Sequence, residues 1–186
     1  MLNPKLTKSQ IIEALRLLEA KCALLGIAGE ICIYGGAGMV LVFDARSSTR
    51  DVDAVLRPKK ELLAAAQTVA EELGLPADWL NDGVKGFLSH NEELCEEVIV
   101  DLEGLSYLRV LYPSAEYLLA MKCMAARSDG SSEDRNDVAF LLKSLGLHNE
   151  EEIFDIIERF YPRDHIHIKT RYFVSEVLAD SKMGEI

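Results

Sequence analysis

Two aspartates one residue apart, Asp51 and Asp53, begin an apolar run that ends at Leu56. Alternate residues of a β-strand face the same way, so a strand over 51–56 would place both carboxylates side by side on one face. Like charges that close together are costly unless a cation lies between them, and a divalent metal is the usual solution. The pair is therefore a candidate site for Mg²⁺ or Mn²⁺, although an isolated Asp-x-Asp is more often an exposed strand edge.

A glycine pair, Gly35 and Gly36, ends an earlier apolar run, residues 30–34. Glycine allows the backbone to come close to a bulky group such as a triphosphate, whereas most isolated glycine pairs are only turns. A short helix over 37–43 is predicted to follow the glycines, and the paired aspartates come next. This combination predicts metal-dependent phosphoryl chemistry on a nucleotide.

A lysine in the C-terminal half, Lys122, lies within an apolar stripe of a predicted helix over 114–128. A buried ammonium is costly unless it meets an anion, so Lys122 is predicted to contact a nucleotide phosphate or a catalytic carboxylate. Asp137 is one turn into the next predicted helix, 132–145, among apolar neighbours. An ion pair between Lys122 and Asp137 is the structural alternative for both residues, and a lysine whose head reaches water is another.

The order strand, Gly-Gly, helix-length segment and Asp-x-Asp on a second strand resembles the signature of the DNA polymerase β-type nucleotidyltransferases. The C-terminal motif adds a lysine, an arginine one turn later and two acids in the following helix (Lys122, Arg127, Asp134 and Asp137). This pattern is similar to motifs of the AbiEii-like and MenT-like nucleotidyltransferases, which are the toxin components of bacterial toxin–antitoxin and phage-defence pairs. The resemblance covers most of residues 28–145 and points to a compact branch of that group.

The resemblance implies a reaction and a role for each matching position. The reaction moves a nucleoside monophosphate from an NTP to an acceptor hydroxyl with the help of Mg²⁺, and releases pyrophosphate. The roles are metal ligands, a nucleotide loop, a nucleotide-contacting lysine and a further essential acid (Asp51 and Asp53; Gly35 and Gly36; Lys122; Asp137).

Residues just before the aspartates would add ligands for the phosphates. Ser47, Ser48 or Thr49 would supply a hydroxyl, and Arg46 would supply a positive charge. In nucleotidyl transfer the protein mainly positions the substrates and neutralises the phosphate charge, so these side chains are candidate nucleotide-binding residues.

A third metal-binding carboxylate normally comes from a later strand in this superfamily. Glu97, Asp101 and Glu103 alternate on one face of a predicted strand, so each is a candidate. Asp101 is favoured as the third metal ligand and catalytic acid because it follows the apolar run 98–100.

The chain is acidic overall, with a net charge of −11 at pH 7, so it lacks the positive field with which proteins bind long nucleic acids. Two local basic clusters, 57–60 and 163–171, would still let a structured RNA dock, and tRNA is the predicted acceptor. The resemblance adds a cognate antitoxin protein as a partner. Two alternatives stay open: a small-molecule, antibiotic-type nucleotidyltransferase attracted to its acceptor by the acidic segment 91–103, and a non-catalytic member that binds nucleotide or a partner protein.

Cysteine usage and hydropathy predict a cytoplasmic protein that is not attached to a membrane. The four cysteines are far apart and lack Cys-x-x-Cys spacing, which is typical of small core residues in a reducing compartment (Cys22, Cys32, Cys95 and Cys123). No signal segment is recognised at the start, and no apolar run approaches membrane-spanning length.

The 186 residues, 49% of them hydrophobic, suit one compact domain with a helical extension. We predict an α/β (α+β) fold with a small mixed sheet flanked by helices over 1–112, and a helical region over 113–186. Helices are expected at 7–26, 37–43, 59–73, 114–128, 132–145, 149–160 and 169–180, and strands at 30–34, 51–56 and twice within 98–112; residues 78–89 are expected to form a short helix and a loop.

Overall fold

The computed structural model of the chain describes residues 5–95, 99–126 and 132–183. The fold is mixed α+β, which confirms the predicted class. The chain divides into two compact units. The first contains Met1–Gly86 and Leu94–Tyr112, and the second contains Phe87–Glu93 and Pro113–Ile186.

The first unit holds the strands and three α-helices. Its strands are β1 Leu6–Thr7, β2 Gly29–Ile33, β3 Ser48–Thr49, β4 Val52–Arg57, β5 Leu80–Asn81, β6 Leu94–Cys95 and β7 Leu108–Pro113, whose last residue belongs to the second unit. Its helices are α1 Lys8–Leu25, α2 Gly35–Leu41 and α3 Lys59–Leu73. Two 3₁₀ helices lie at Val100–Leu102 and at Gly83–Phe87, and the last residue of the latter belongs to the second unit.

A five-stranded sheet in the order β5-β4-β2-β7-β6 forms the centre of this unit, and β1 pairs with β3 separately. β2 runs antiparallel to β4, so that Ile33 lies opposite Ala54. β4 runs parallel to β5, with Asp53 beside Asn81. The last residues of β2 and the first residues of β4 and β5 therefore lie at the same end of the sheet.

Local capping signals set the bounds of the first helix. Thr7 and Gln10 form a capping box at the start of α1, and Gly26 ends the helix in the left-handed conformation with φ 65°. The apolar stripe predicted for this helix, which includes Ile11 and Leu15, is fully buried. The predicted helix is thus confirmed to within one residue at each end.

The helix α3 begins at Lys59 and ends at Leu73, as predicted. Pro58 precedes it with extended backbone, and Gly74 ends it at φ 64°. Trp79, the single tryptophan, is fully buried, and its indole N–H donates to the carbonyl of Ala66 in α3 at 2.9 Å. This bond satisfies the one polar atom of a large side chain in the core.

The second unit is helical in its described part. Its α-helices are α4 Ala115–Ala125, α5 Ser132–Leu145, α6 Glu150–Phe160 and α7 Ile168–Met183, with a 3₁₀ helix at Arg163–His165. α4 packs against α5, α6 and α7, and its Tyr117 ring stacks on Phe160 of α6 with centroids 4.9 Å apart. The four predicted helices of this region are confirmed, with their ends shifted by up to three residues.

Two segments differ from the sequence prediction. Residues 78–89 contain the short strand β5 before a 3₁₀ helix, where a short helix and a loop were predicted. In the described part of 98–112 there is one strand, β7, and a 3₁₀ helix occupies Val100–Leu102 where the first strand was expected. The peptide N–H of Leu102 donates to the Ile99 carbonyl at 2.7 Å, a turn bond that takes the chain out of strand geometry.

Three of the four cysteines are core residues, as predicted: Cys22, Cys32 and Cys123 are buried, whereas Cys95 is half-buried. No disulfide joins any of these four residues, all of which the structure describes. Burial raises the pKa of the Cys123 thiol to about 12. Every helix in the described ranges is too short or too polar to cross a membrane.

Candidate functional site

The carboxylate of Asp53 lies between two glycine backbones. A Cβ built at Gly35, the first residue of α2, would be 3.2 Å from Asp53 Oδ2, and a Cβ built at Gly83 would be 3.3 Å from Asp53 Oδ1. Gly35 also has φ +59°, a conformation that side chains rarely tolerate. Glycine at these two positions lets the backbone approach the carboxylate closely from two sides.

Asp51 lies on the same strand face as Asp53. Val52 and Ala54, which alternate with them, are fully buried, whereas both aspartates are half-buried. The amide Nδ2 of Asn81 donates to Asp51 Oδ2 at 3.0 Å. The burial of residues 51–54 therefore alternates as the Asp-x-Asp spacing predicts, with Asp51 directly before β4 and its carboxylate held by the Asn81 amide.

The pKa of Asp51 is raised above the ordinary aspartate range. Burial is the main cause, and the nearby charge of Asp78 adds to it, while the Asn81 hydrogen bond and the charge of Arg50 act in the opposite direction. The negative charge of Asp51 is thus only partly compensated by its neighbours. A cation bound at this carboxylate would stabilise its ionised form.

The second glycine of the pair, Gly36, serves packing. A Cβ built there would overlap the Thr49 hydroxyl and would be 3.3 Å from Arg46 Nη1. Thr49 is buried and pairs with Leu6 of β1, and Ser48 next to it is half-buried. Three of the predicted nucleotide-binding residues, Gly36, Arg46 and Thr49, are thereby brought together beside the first turn of α2.

The two aspartates suit a hard cation. Mg²⁺ is usually held by one or two carboxylates, with water and substrate phosphates as its other ligands. Asp51 and Asp53 supply two such carboxylates, and the Gly35 backbone comes close to the second of them. Within residues 5–95, 99–126 and 132–183, no group of three or more His, Cys, Asp and Glu side chains is arranged to hold a metal ion. A metal at Asp51 and Asp53 would thus take its remaining ligands from nucleotide and water.

Asp101 does not join the other two predicted metal ligands. It lies in a 3₁₀ helix rather than on a strand, and its carboxylate is 3.4 Å from Lys8 Nζ. The Arg16 guanidinium donates to the Asp101 carbonyl at 2.7 Å. These basic residues of α1 attract the segment to the helix, so the choice of Asp101 as third carboxylate is corrected. The alternative Glu97 lies outside the described residues.

Lys122 and Asp137 form an ion pair with each other, which was the alternative to a role of these residues in nucleotide binding or catalysis. Lys122 Nζ is 2.5 Å from Asp137 Oδ2 and 3.6 Å from Asp134 Oδ1. Lys122 is 8% exposed and Asp137 is 1% exposed, so both charges are buried in the second unit. Arg127 of the same motif lies outside the described residues.

Sequence reasoning missed the segment Asn81-Asp82-Gly83, which lines the aspartates. Asn81 accepts a 2.8 Å hydrogen bond from the Gly83 N–H through Oδ1 while its Nδ2 donates to Asp51. The signal in the sequence is the Asn-Asp-Gly tripeptide directly after the apolar residues 79–80, a pattern typical of a turn that ends a strand.

A cleft in the second unit carries no comparable chemistry. It has a volume of about 420 Å³ and lies between α5 and α7. Its Arg135 is held at 2.8 Å by Glu176 and by Asp180. The charge that would recognise an anion there is already neutralised by the protein.

No family model, curated protein or solved structure matches the chain. Any assignment of function therefore depends on the residues of the site itself.

We expect Gly36→Ala to destabilise the protein by about 1–3 kcal/mol, because the added methyl group overlaps the Thr49 hydroxyl in a packed region. Thermal or urea unfolding measures the effect. Gly86→Ala is the matched control, since a Cβ there meets nothing within 4 Å. Adding Thr49→Ala to Gly36→Ala should recover part of the loss. Equal stabilities for the two alanine variants would contradict the proposed close contact.

We expect Lys122→Met alone and Asp137→Leu alone each to cost about 3–5 kcal/mol, because each leaves one buried charge without its partner. The double variant should be more stable than either single variant, since no uncompensated charge remains. Urea denaturation of the three variants measures this coupling. Single variants with near-native stability would show that the pair is not formed in solution.

Proposed function

We propose that the chain is a metal-dependent nucleotidyltransferase of the DNA polymerase β type, which moves a nucleoside monophosphate from an NTP to an acceptor hydroxyl. The observation that carries this proposal is the Asp53 carboxylate between the Gly35 and Gly83 backbones, with Asp51 on the same strand face. Two carboxylates beside an open glycine backbone are the parts that a metal–triphosphate complex requires.

In this proposal the aspartates bind Mg²⁺ or Mn²⁺ jointly with the nucleotide phosphates. The bound ion would neutralise phosphate charge and polarise the reacting oxygens. Asn81 restrains Asp51 by the 3.0 Å hydrogen bond and so keeps its carboxylate oriented on the strand face. The Gly35 backbone, which lies close to Asp53, would offer its N–H to a phosphate, and Arg46, beside Gly36, provides a positive charge near the same turn.

A non-catalytic nucleotide-binding protein is the second candidate. The specific observation in its favour is that Asp101 is engaged by Lys8 and that the described residues contain no three-ligand acidic group. Such a protein would bind NTP and metal through Asp51 and Asp53 without transferring the nucleotide. Binding without pyrophosphate release distinguishes it from the enzyme.

A structured RNA, and first of all tRNA, is our proposed acceptor. Lys60 at the start of α3, and Arg163, His165 and Lys169 in the second unit, are exposed and supply local positive or polar surface. Arg57 contributes less positive charge to this surface than the sequence cluster 57–60 suggests, because its guanidinium is 2.7 Å from the Glu30 carboxylate. A toxin role and a cognate antitoxin partner belong to the same proposal and derive from the sequence resemblance alone.

We expect Asp51→Asn and Asp53→Asn each to lower Mg²⁺-dependent pyrophosphate release from NTPs at least about a hundredfold, because each removes a ligand of the ion that neutralises the phosphates. The assay uses each NTP in turn with total RNA as acceptor. Asp155→Asn, an exposed carboxylate on α6, is the matched control for the loss of one charge.

Thermal unfolding supplies an independent measurement for the same variants. Mg²⁺ with NTP should raise the melting temperature of the wild type and of Asp155→Asn but not of the two site variants. Full activity in either site variant would refute the metal assignment. Stabilisation of the wild type by Mg²⁺ with NTP, but no release with any NTP or acceptor, would select the non-catalytic candidate.

We expect the combined change Lys60→Glu, Arg163→Glu and Lys169→Glu to reduce labelling of tRNA at least about fivefold and to leave NTP binding unchanged. The reason is that exposed basic side chains contribute salt-dependent contacts to RNA phosphates but none to the proposed nucleotide site. Transfer of labelled nucleotide to tRNA measures the effect, and Lys143→Glu, an exposed lysine outside both clusters, is the control. Labelling of a small cationic acceptor in place of RNA would favour the antibiotic-type alternative.

A further inference from the structure

Two lysines converge on one carboxylate oxygen in the first unit. Lys59 Nζ is 2.5 Å from Asp82 Oδ2, and Lys85 Nζ is 2.8 Å from the same atom. Lys59 is the first residue of α3, whereas Lys85 belongs to the 3₁₀ helix that follows β5. Two separate elements therefore direct their ammonium groups to a common point, which we call the lysine pair.

The lysine pair carries more positive charge than Asp82 can neutralise. Its two nitrogens are no more than about 5 Å apart, a distance at which like unit charges repel by about 1 kcal/mol even in water. One carboxylate offsets one of the two charges, so the cluster keeps a net charge of about +1 in a chain of net charge −11. Both lysine side chains are about half exposed, at 47% and 50%, and are accessible to a ligand.

Asp82 behaves as an anion bound within the protein. Its hydrogen bonds from Lys59 and then from Lys85 lower its pKa to about 2, so it is ionised at neutral pH. Both lysines contact the same oxygen atom of a group with a single negative charge. A phosphate group offers three oxygens and more charge, and it would match two ammonium groups better than one carboxylate does.

The lysine pair is linked to the aspartates through residues 81–83. Asp82 stands between Asn81, whose amide donates to Asp51, and Gly83, whose Cβ position is 3.3 Å from Asp53 Oδ1. A segment of three consecutive residues thus links the two carboxylates to the two ammonium groups. A single small ligand with several phosphates has the charge pattern that this arrangement recognises, because a metal ion on the aspartates and the lysines would each bind phosphate oxygens.

We propose that Lys59 and Lys85 form a binding subsite for the polyphosphate of a nucleoside triphosphate, and that Asp82 occupies this subsite until the polyphosphate replaces it. The identity of the ligand as a nucleotide rests on the proposed function, whereas the affinity for polyphosphate does not. A phosphodiester of RNA carries one charge per phosphate and would gain less from displacing Asp82, so we assign the subsite to the nucleotide rather than to the acceptor.

Calorimetry of the full chain with inorganic tripolyphosphate, without divalent metal, measures the affinity of the subsite. Lys59→Gln with Lys85→Gln should bind it at least about tenfold more weakly than the wild type, because two charged contacts are lost. Lys143→Gln, which changes an exposed lysine outside the lysine pair and both basic clusters, is the matched control and should bind as the wild type does. Asp82→Asn should bind severalfold more tightly, since the competing anion is removed.

Charge-retaining variants separate binding from structure. Lys59→Arg with Lys85→Arg should keep most of the affinity, and the melting temperature of every variant should be measured alongside. If the glutamine variant proves unfolded, Lys85→Gln alone, with an expected loss of at least about threefold, takes its place.

Four results would overturn the subsite: no tripolyphosphate binding by the wild type, unchanged affinity in the folded glutamine variant, the same loss in Lys143→Gln, or weaker binding in Asp82→Asn. If the glutamine variant lost RNA labelling but kept its affinity for tripolyphosphate, the lysine pair would belong to the acceptor site. That result would also overturn the proposed subsite. Failure of the proposed function has a different signature. In that case the wild type binds tripolyphosphate through the lysine pair, but no NTP yields pyrophosphate with Mg²⁺.

Discussion

The antiparallel pairing of β2 with β4 is the constraint on which the candidate site depends. Its register sets Ile33 against Ala54, and the N–H of Tyr34 donates to the Asp53 carbonyl at 2.9 Å. The chain consequently leaves β2 directly beside the carboxylate of Asp53, and Gly35 turns there without a side chain that would cover it. A shift of the register by one residue would turn both aspartates into the hydrophobic core, where their charges could not be satisfied.

The parallel pairing of β4 with β5 extends this constraint to a second group of residues. Because Asp53 lies beside Asn81, the residues that follow Asn81 must pass close to the aspartates. They bring Asp82 and, through it, two lysines into the same part of the first unit. Asp82 holds the two lysines by direct ion pairs, and its chain neighbours Asn81 and Gly83 lie against Asp51 and Asp53. A ligand that carries metal and phosphate together would meet both kinds of charge in this part of the unit.

The helices and the aspartate pair were predictable from sequence because the signals that specify them are local. Thr7 with Gln10, and the glycines at 26 and 74, mark helix ends within a few residues of the helices they bound, and strand alternation alone places Asp51 and Asp53 on one face. Strand β5 has two residues and shows no periodicity, so only its pairing with β4 defines it.

Residues whose surroundings depend on distant partners were harder to predict. Asp101 is drawn from its expected place by Lys8, which is far away in the sequence. Lys122 had several plausible anions, and the packing of α4 against α5 selects Asp137. The reaction, its metal and its acceptor are proposals from the chemistry of these residues, because the charge pattern of a site specifies a class of ligand but not one compound.

The sheet of the first unit ends, on the side of the aspartates, in a strand only two residues long, Leu80–Asn81. A sheet edge normally presents a row of unpaired N–H and C=O groups, on which another chain can add a strand and begin to aggregate. An edge of two residues offers almost no such row, and the glycine-containing turn that follows takes the backbone away from the sheet. The same short strand that carries Asn81 to Asp51 therefore also limits the outward growth of the sheet.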